Sequence, residues 1–65
     1  MIGNRIAMIR KEKGWTQGKL AKASRLSRGC IAAIEGGRIP GIKTLAMIAE
    51  ALGVEARELY REEQK

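Results

Sequence analysis

The apolar residues of this chain recur at helical spacing, and nowhere do they alternate with period two. Ile2, Ile6 and Ile9 fall on one helix face, Leu20 and Ala21 on a second, and Ile31 and Ile34 on a third. Ile42, Leu45, Ile48, Ala49 and Leu52 mark the inner stripe of a strongly amphipathic fourth helix, and Leu59 faces inward on a fifth. Breakers separate these runs: Gly14, Gly36-Gly37, Pro40 and Gly53. Thr16 and Ser27 have the character of N-caps, whereas Asn4 sits too late to cap the first helix. Lys11 and Lys13 suit the negative end of that helix's dipole. The predicted fold is therefore all-α, a compact five-helix bundle with helices at about 2–12, 16–23, 27–35, 42–52 and 55–61. It forms a single domain over residues 1–65, fraying over about 62–65.

Composition removes several functional classes. A chain of 65 residues holds one small domain with a small core. The one Cys cannot close an internal disulfide, and with no His no clustered metal-ligand set exists. Acid–base His, Ser-His and Cys-His pairs are absent, and no Glu has a catalytic spacing, which argues against an enzyme. Nothing in the sequence calls for a cofactor, a metal or a small-molecule effector. The longest apolar runs are a few residues, far short of the roughly 20 that span a bilayer. Arg5 and Arg10 interrupt any signal-like apolar stretch at the N-terminus. The expectation is a soluble chain in a reducing cytoplasm, with no membrane partner.

Charge is divided unevenly. Residues 1–44 hold ten basic residues against Glu12 and Glu35, a net +8, while residues 45–65 hold three against five Glu, a net −2. The total is +6. A basic front fits a polyanion and a mildly acidic end fits some other use. The alternative is a solubilising surface whose asymmetry has no function.

Two short helices, Thr16–Ala23 and Ser27–Glu35, joined by about three residues, have the helix-turn-helix layout, whose second helix can lie in the DNA major groove. The ordered residues around them are more specific. Arg10, Gly14-Trp15-Thr16-Gln17, Leu20-Ala21, Ser27, Ile31, Ile34-Glu35, Gly37, Pro40, Leu45, Ile48-Ala49, Ala51-Leu52 and Val54 stand at matching gaps. With this set the chain resembles the Cro and lambda-repressor-like helix-turn-helix family, also called the xenobiotic-response-element family, over about residues 2–60.

The resemblance implies sequence-specific binding of double-stranded DNA and transcriptional regulation, as a small repressor dimerising on a palindromic operator. It assigns base reading to Arg28, Gly29, Ala32 and Ala33. Arg28 suits guanine O6 and N7, Ala suits a thymine methyl, and Gly permits close approach. It assigns phosphate contacts to Thr16, Gln17, Ser27, Arg38, Lys43 and Thr44. Lys19, Lys22 and Arg25 either add to the same field or are solvated charges. Arg10 and Glu35 match a structural ion pair that fixes the angle of the recognition helix. Cys30 reads as a packed small side chain rather than a redox switch.

Three departures from the family pattern stand out. Arg25 occupies the turn position usually held by Gly; Gly18 and Gly29 lie inside short helices; and Glu55 replaces the Ser or Asp expected to cap the fifth helix. The dimer contact that the resemblance implies maps to Val54, Leu59 and Tyr60 at the acidic end, with closure of the monomer core as the competing use of Leu52, Val54 and Leu59. No effector or oligomerisation domain is seen, so the resemblance implies a minimal, weakly dimerising controller of the kind found in phage, mobile elements and restriction or toxin systems. The alternative function is a helix-turn-helix scaffold used for protein–protein interaction, such as an antitoxin-like or accessory module. The small side chains at positions 29, 32 and 33 favour that alternative, and the basic front argues against it.

Overall fold

A computed structural model of the chain describes residues 2–60. Those residues form five α-helices: α1 (Ile2–Glu12), α2 (Gln17–Ser24), α3 (Arg28–Glu35), α4 (Ile42–Leu52) and α5 (Ala56–Tyr60). There is no strand among them. Thr16 and Ser27 cap α2 and α3 from outside, and Ser24 belongs to α2 rather than to the turn. Lys13 lies just past the end of α1. The expected end of the last helix at Arg61, and the tail at 62–65, lie outside the described residues.

Four helix ends close in the same way. After α1, Gly14 takes φ 74° and the Trp15 N–H reaches back to the Arg10 carbonyl at 3.1 Å. After α3, Gly37 takes φ 125° and the Arg38 N–H bonds the Ala33 carbonyl at 3.0 Å. After α4, Gly53 takes φ 75° and the Val54 N–H bonds the Ala49 carbonyl at 3.0 Å. At each, glycine takes the positive φ that lets the next N–H satisfy an orphan carbonyl. After α2 the Leu26 N–H bonds the Ala21 carbonyl at 2.9 Å, but the residue at φ 64° is Arg25.

α1 packs on α3 and α5, α2 packs on α3 and α4, and α4 packs on α5. The core between them comprises Ile6, Ile9, Leu20, Ala21, Ile31, Ile34, Leu45, Ile48, Ala49, Leu52 and Leu59. The buried Ser24 hydroxyl is satisfied by donating to the Leu20 carbonyl at 2.7 Å. On α1, Gly3 sits so close to the end of α3 that a Cβ there would fall on the Ile34 carbonyl oxygen. Arg5 Nε donates to the Glu58 carbonyl at 3.2 Å, tying α1 to α5.

Two sequence expectations are corrected here. Ile42, read as part of the inner stripe of α4, is 84% exposed. At about 100° per residue it lies about 70° round the helix from the centre of Leu45, Ile48, Ala49 and Leu52, and it begins the first turn. Leu59, read as facing inward but also assigned to a dimer contact, is fully enclosed in the core of its own chain, so the inward reading stands and the dimer assignment does not. Val54 is half-buried against the same core, and Tyr60 is exposed. Among the described residues no helix is long and apolar enough to cross a membrane.

Candidate nucleic-acid interface

The unit α2–turn–α3 is built from local signals. The Thr16 hydroxyl accepts from the Lys19 N–H at 3.0 Å and so starts α2. The Ser27 hydroxyl does the same for α3, accepting from the Cys30 N–H at 3.0 Å. Arg25, Leu26 and Ser27 form the three-residue turn. Ile31 and Ile34 bury the inner side of α3, and Cys30 packs half-buried against the core. Arg28, Gly29, Ala32 and Ala33 are all exposed, so one continuous outer side carries every position assigned to base reading. Arg28 lines a shallow cleft with Arg10, Thr16, Gln17 and Gly18, at the start of α2.

Behind that cleft lies a polar cluster. Arg10 Nε donates to Glu35 Oε2 at 2.7 Å and Arg10 Nη2 donates to Glu35 Oε1 at 3.0 Å. The third guanidinium nitrogen, Nη1, donates to the Trp15 carbonyl at 2.7 Å. Gln17 Nε2 donates to Glu35 Oε1 at 3.0 Å. The two charged side chains are only 9% and 8% exposed. Burial pushes the Glu35 carboxyl up, but hydrogen bonds from Arg10 and Gln17, with the positive charges of Arg10 and Lys11, outweigh it and hold the group below the ordinary carboxylate range. The Glu35 hydrogen bond raises the Arg10 guanidinium further, against desolvation. The cluster thus ties α1, the α1–α2 turn, α2 and the end of α3 together. Gln17, assigned to phosphate, bridges α2 to α3 in the DNA-free chain.

The flanks are basic. Arg38 and Lys43 are exposed on either side of the α3–α4 loop, with Thr44 half-buried. Gly41 caps α4 without a side-chain bond, so the start of that helix is bare. On the α2 side, Lys13 and Lys19 hold their ammonium groups 5.6 and 5.5 Å from the centroid of the Trp15 ring. Glu55, at the poor cap position of α5, instead meets Arg57 at 2.6 Å on the surface. Among the described residues no group of three or more His, Cys, Asp or Glu side chains is placed to hold a metal ion.

Sequence reasoning missed the Gly3 approach and the Gln17 bridge. Gly3 does carry a readable signal: it lies three residues before Ile6 on the inner face of α1, and a glycine on such a face marks a close helix contact. The bridge has no sequence signal, because Gln17 and Glu35 meet only through the α2–α3 angle.

A family model described as a helix-turn-helix domain matches residues 3–65. The chain is 43% identical over 63 residues to an immunity repressor protein of Bacillus phage phi105, covering 95% of this chain and 44% of that protein. It therefore spans less than half the length of that relative. It is 38% identical over 60 residues to an uncharacterized HTH-type transcriptional regulator, y4dJ, of Sinorhizobium fredii, covering 91% of this chain and 78% of that one. Among solved structures, the restriction-modification controller protein C.AhdI from Aeromonas hydrophila superposes with TM-score 0.85 at 36% identity, covering 89% of each chain. SinR, the master regulator for biofilm formation, solved in complex with DNA, superposes with TM-score 0.88 at 32% identity, covering 94% of this chain and 100% of that one. The chain belongs to the Cro and lambda-repressor-like helix-turn-helix family, a family of transcriptional regulators and not of enzymes.

Proposed function

We propose that the chain binds double-stranded DNA with sequence preference and represses transcription at the sites it occupies, working inside the cell as a homodimer on a palindromic operator. The observation that carries this reading is the two-sided character of α3. Its inner side is locked by Ile31 and Ile34, while Arg28, Gly29, Ala32 and Ala33 form an open outer side between basic flanks. A phage immunity repressor and a regulator solved with DNA among its relatives support the same reading. Arg28 reads a guanine edge, Ala32 and Ala33 meet thymine methyls, and Gly29 lets the helix approach. Thr16, Gln17, Ser27, Arg38, Lys43 and Thr44 hold the phosphates on either side. Tyr60 and the exposed edge of Val54 supply the dimer contact, with half-sites about one DNA turn, ~34 Å, apart.

Selection of bound duplexes from a random-sequence pool tests the reading. The expected product is a palindrome of two short half-sites. Binding that uses about six phosphates per dimer gives a slope near −5 for log affinity against log salt. No retention of any duplex at low salt sinks the proposal and leaves the helix-turn-helix as a protein-binding scaffold, the reading that the small side chains of α3 favour.

A further inference from the structure

Trp15, the single tryptophan of the chain, carries two cations. The Lys13 ammonium lies 5.6 Å and the Lys19 ammonium 5.5 Å from the centroid of its ring. The residue is anchored from two sides. Its side chain is half-buried against the core, and its carbonyl accepts from Arg10 Nη1 at 2.7 Å. Through Arg10 and Glu35 it is tied to the end of α3.

The fold alone does not explain why two lysines gather there. Lys19 stands in the first turn of α2, where a cation opposes the helix dipole, and that turn holds no acid. No acidic residue occurs between Lys13 and Ile34. Among the described residues neither ammonium forms an ion pair. A carboxylate would order a lysine by cancelling its charge, whereas an aromatic ring orders it and leaves the charge in place. Two like charges on one ring repel each other, so an anion brought to them is favoured. Thr16 and Gln17, the next two residues of the chain, line the cleft with Arg28, which puts the pair at the border of the candidate interface.

We propose that Trp15 is a positioning residue for DNA binding, whose ring holds Lys13 and Lys19 as a pre-ordered pair of cations beside the start of α2. The inference rests on the DNA-binding reading above. Both lysines meet phosphate with much of their rotamer freedom already lost, so binding does not have to order them. Trp15 itself acts only through the two lysines.

The test uses the full chain, with mixed-sequence duplex at low salt and a duplex selected by the wild type from a random pool. Trp15→Leu keeps an apolar side chain against the core and removes the ring. It weakens binding by about threefold to tenfold, equally on both duplexes and with the salt slope unchanged. Trp15→Phe keeps a ring and stays closer to the wild type. Lys13→Gln with Lys19→Gln lowers the magnitude of the slope by about 0.9 for each phosphate that the lysines neutralise. The deciding measurement is the cycle: in the chain that already carries both lysine changes, Trp15→Leu costs no further affinity. If Trp15→Leu does not fold, Trp15→Met, which fills the same space without a ring, carries the cycle instead. An equal loss with and without the lysines overturns the proposal, because Trp15 then acts through packing alone. So does unchanged affinity on loss of the ring, or an unchanged slope when both lysines are replaced. If the wild type binds neither duplex, the DNA-binding reading itself fails and takes this inference with it.

Discussion

Arg10 and Glu35 form a forked, nearly buried ion pair that joins the last turn of α1 to the last residue of α3, with bonds of 2.7 and 3.0 Å. The same carboxylate oxygen that accepts from Arg10 Nη2 also accepts from Gln17, so α2 is held in the same cluster. The cluster thus fastens the end of the candidate recognition helix to α1 and α2.

Glu35→Gln tests that fastening. Removing one member of a buried pair leaves the Arg10 guanidinium without its counter-charge and costs about 3 kcal/mol. For a domain of this size that lowers the melting temperature by more than ~10 °C. Duplex affinity falls with it. Circular dichroism melts and duplex titrations that match the wild type would show that the pair positions nothing.

The pair also sets an acid limit on stability. The folded Glu35 carboxyl is held below its ordinary value of 4.5, so in the unfolded chain it binds a proton more readily. Its contribution is therefore complete above about pH 4.5 and is lost as pH falls through the lowered folded value. Denaturant midpoints of the wild type should fall over that acid range, and the gap to Glu35→Gln should close with them. A gap that stays constant between pH 7 and pH 3 contradicts the assignment.

Among the described residues Arg25 is the one helix-closing residue at positive φ, 64°, that is not glycine. Its Cβ strains the left-handed conformation that Gly14, Gly37 and Gly53 adopt without penalty. Arg25→Gly should raise stability by ~1 kcal/mol, readable as a higher urea midpoint. A lower midpoint means that the arginine makes a compensating contact.

The architecture was legible because each boundary carries its own chemistry. Thr16 and Ser27 supply hydroxyl caps, and Gly14, Gly37 and Gly53 supply the closing turns. The stripes of Ile31 with Ile34, and of Leu45, Ile48 and Leu52, supply the inner faces. Arg10 and Glu35 were paired by resemblance, since their 25-residue separation carries no local signal. Ile42, read as core, and Leu59, read both as facing inward and as a dimer contact, share one ambiguity: an apolar residue at the end of a helix is equally suited to the core and to an interface. Only the neighbouring helices decide which, enclosing Leu59 and leaving Ile42 outside.

Gly3 and Gly29 should respond to substitution with opposite sign. Gly3→Ala places a methyl on the Ile34 carbonyl and forces α1 away from α3, costing about 1–3 kcal/mol. Gly29 has only the Ser27 hydroxyl within reach, at 4.0 Å, so Gly29→Ala should stabilise α3 by ~1 kcal/mol. The same methyl projects from the exposed side of α3, so tighter folding should come with weaker duplex binding. A Gly29→Ala chain that both melts higher and binds as well as the wild type removes close backbone approach as the reason for glycine there.

Arg28 and Gln17 separate base reading from backbone grip. Arg28 is the only long polar side chain on the exposed side of α3, so the proposed reading puts more of the specificity on it than on Gly29, Ala32 or Ala33. Arg28→Ala should cost about 1–3 kcal/mol on a selected duplex and erase preference at one base pair of each half-site. Gln17→Ala should weaken all duplexes alike, because its amide holds the Glu35 cluster and, on the proposed reading, its place is against phosphate and not a base edge. Repeating the pool selection with both variants reads the difference directly. If Arg28→Ala returns the wild-type site unchanged, sequence preference comes instead from the shape and bending of the DNA.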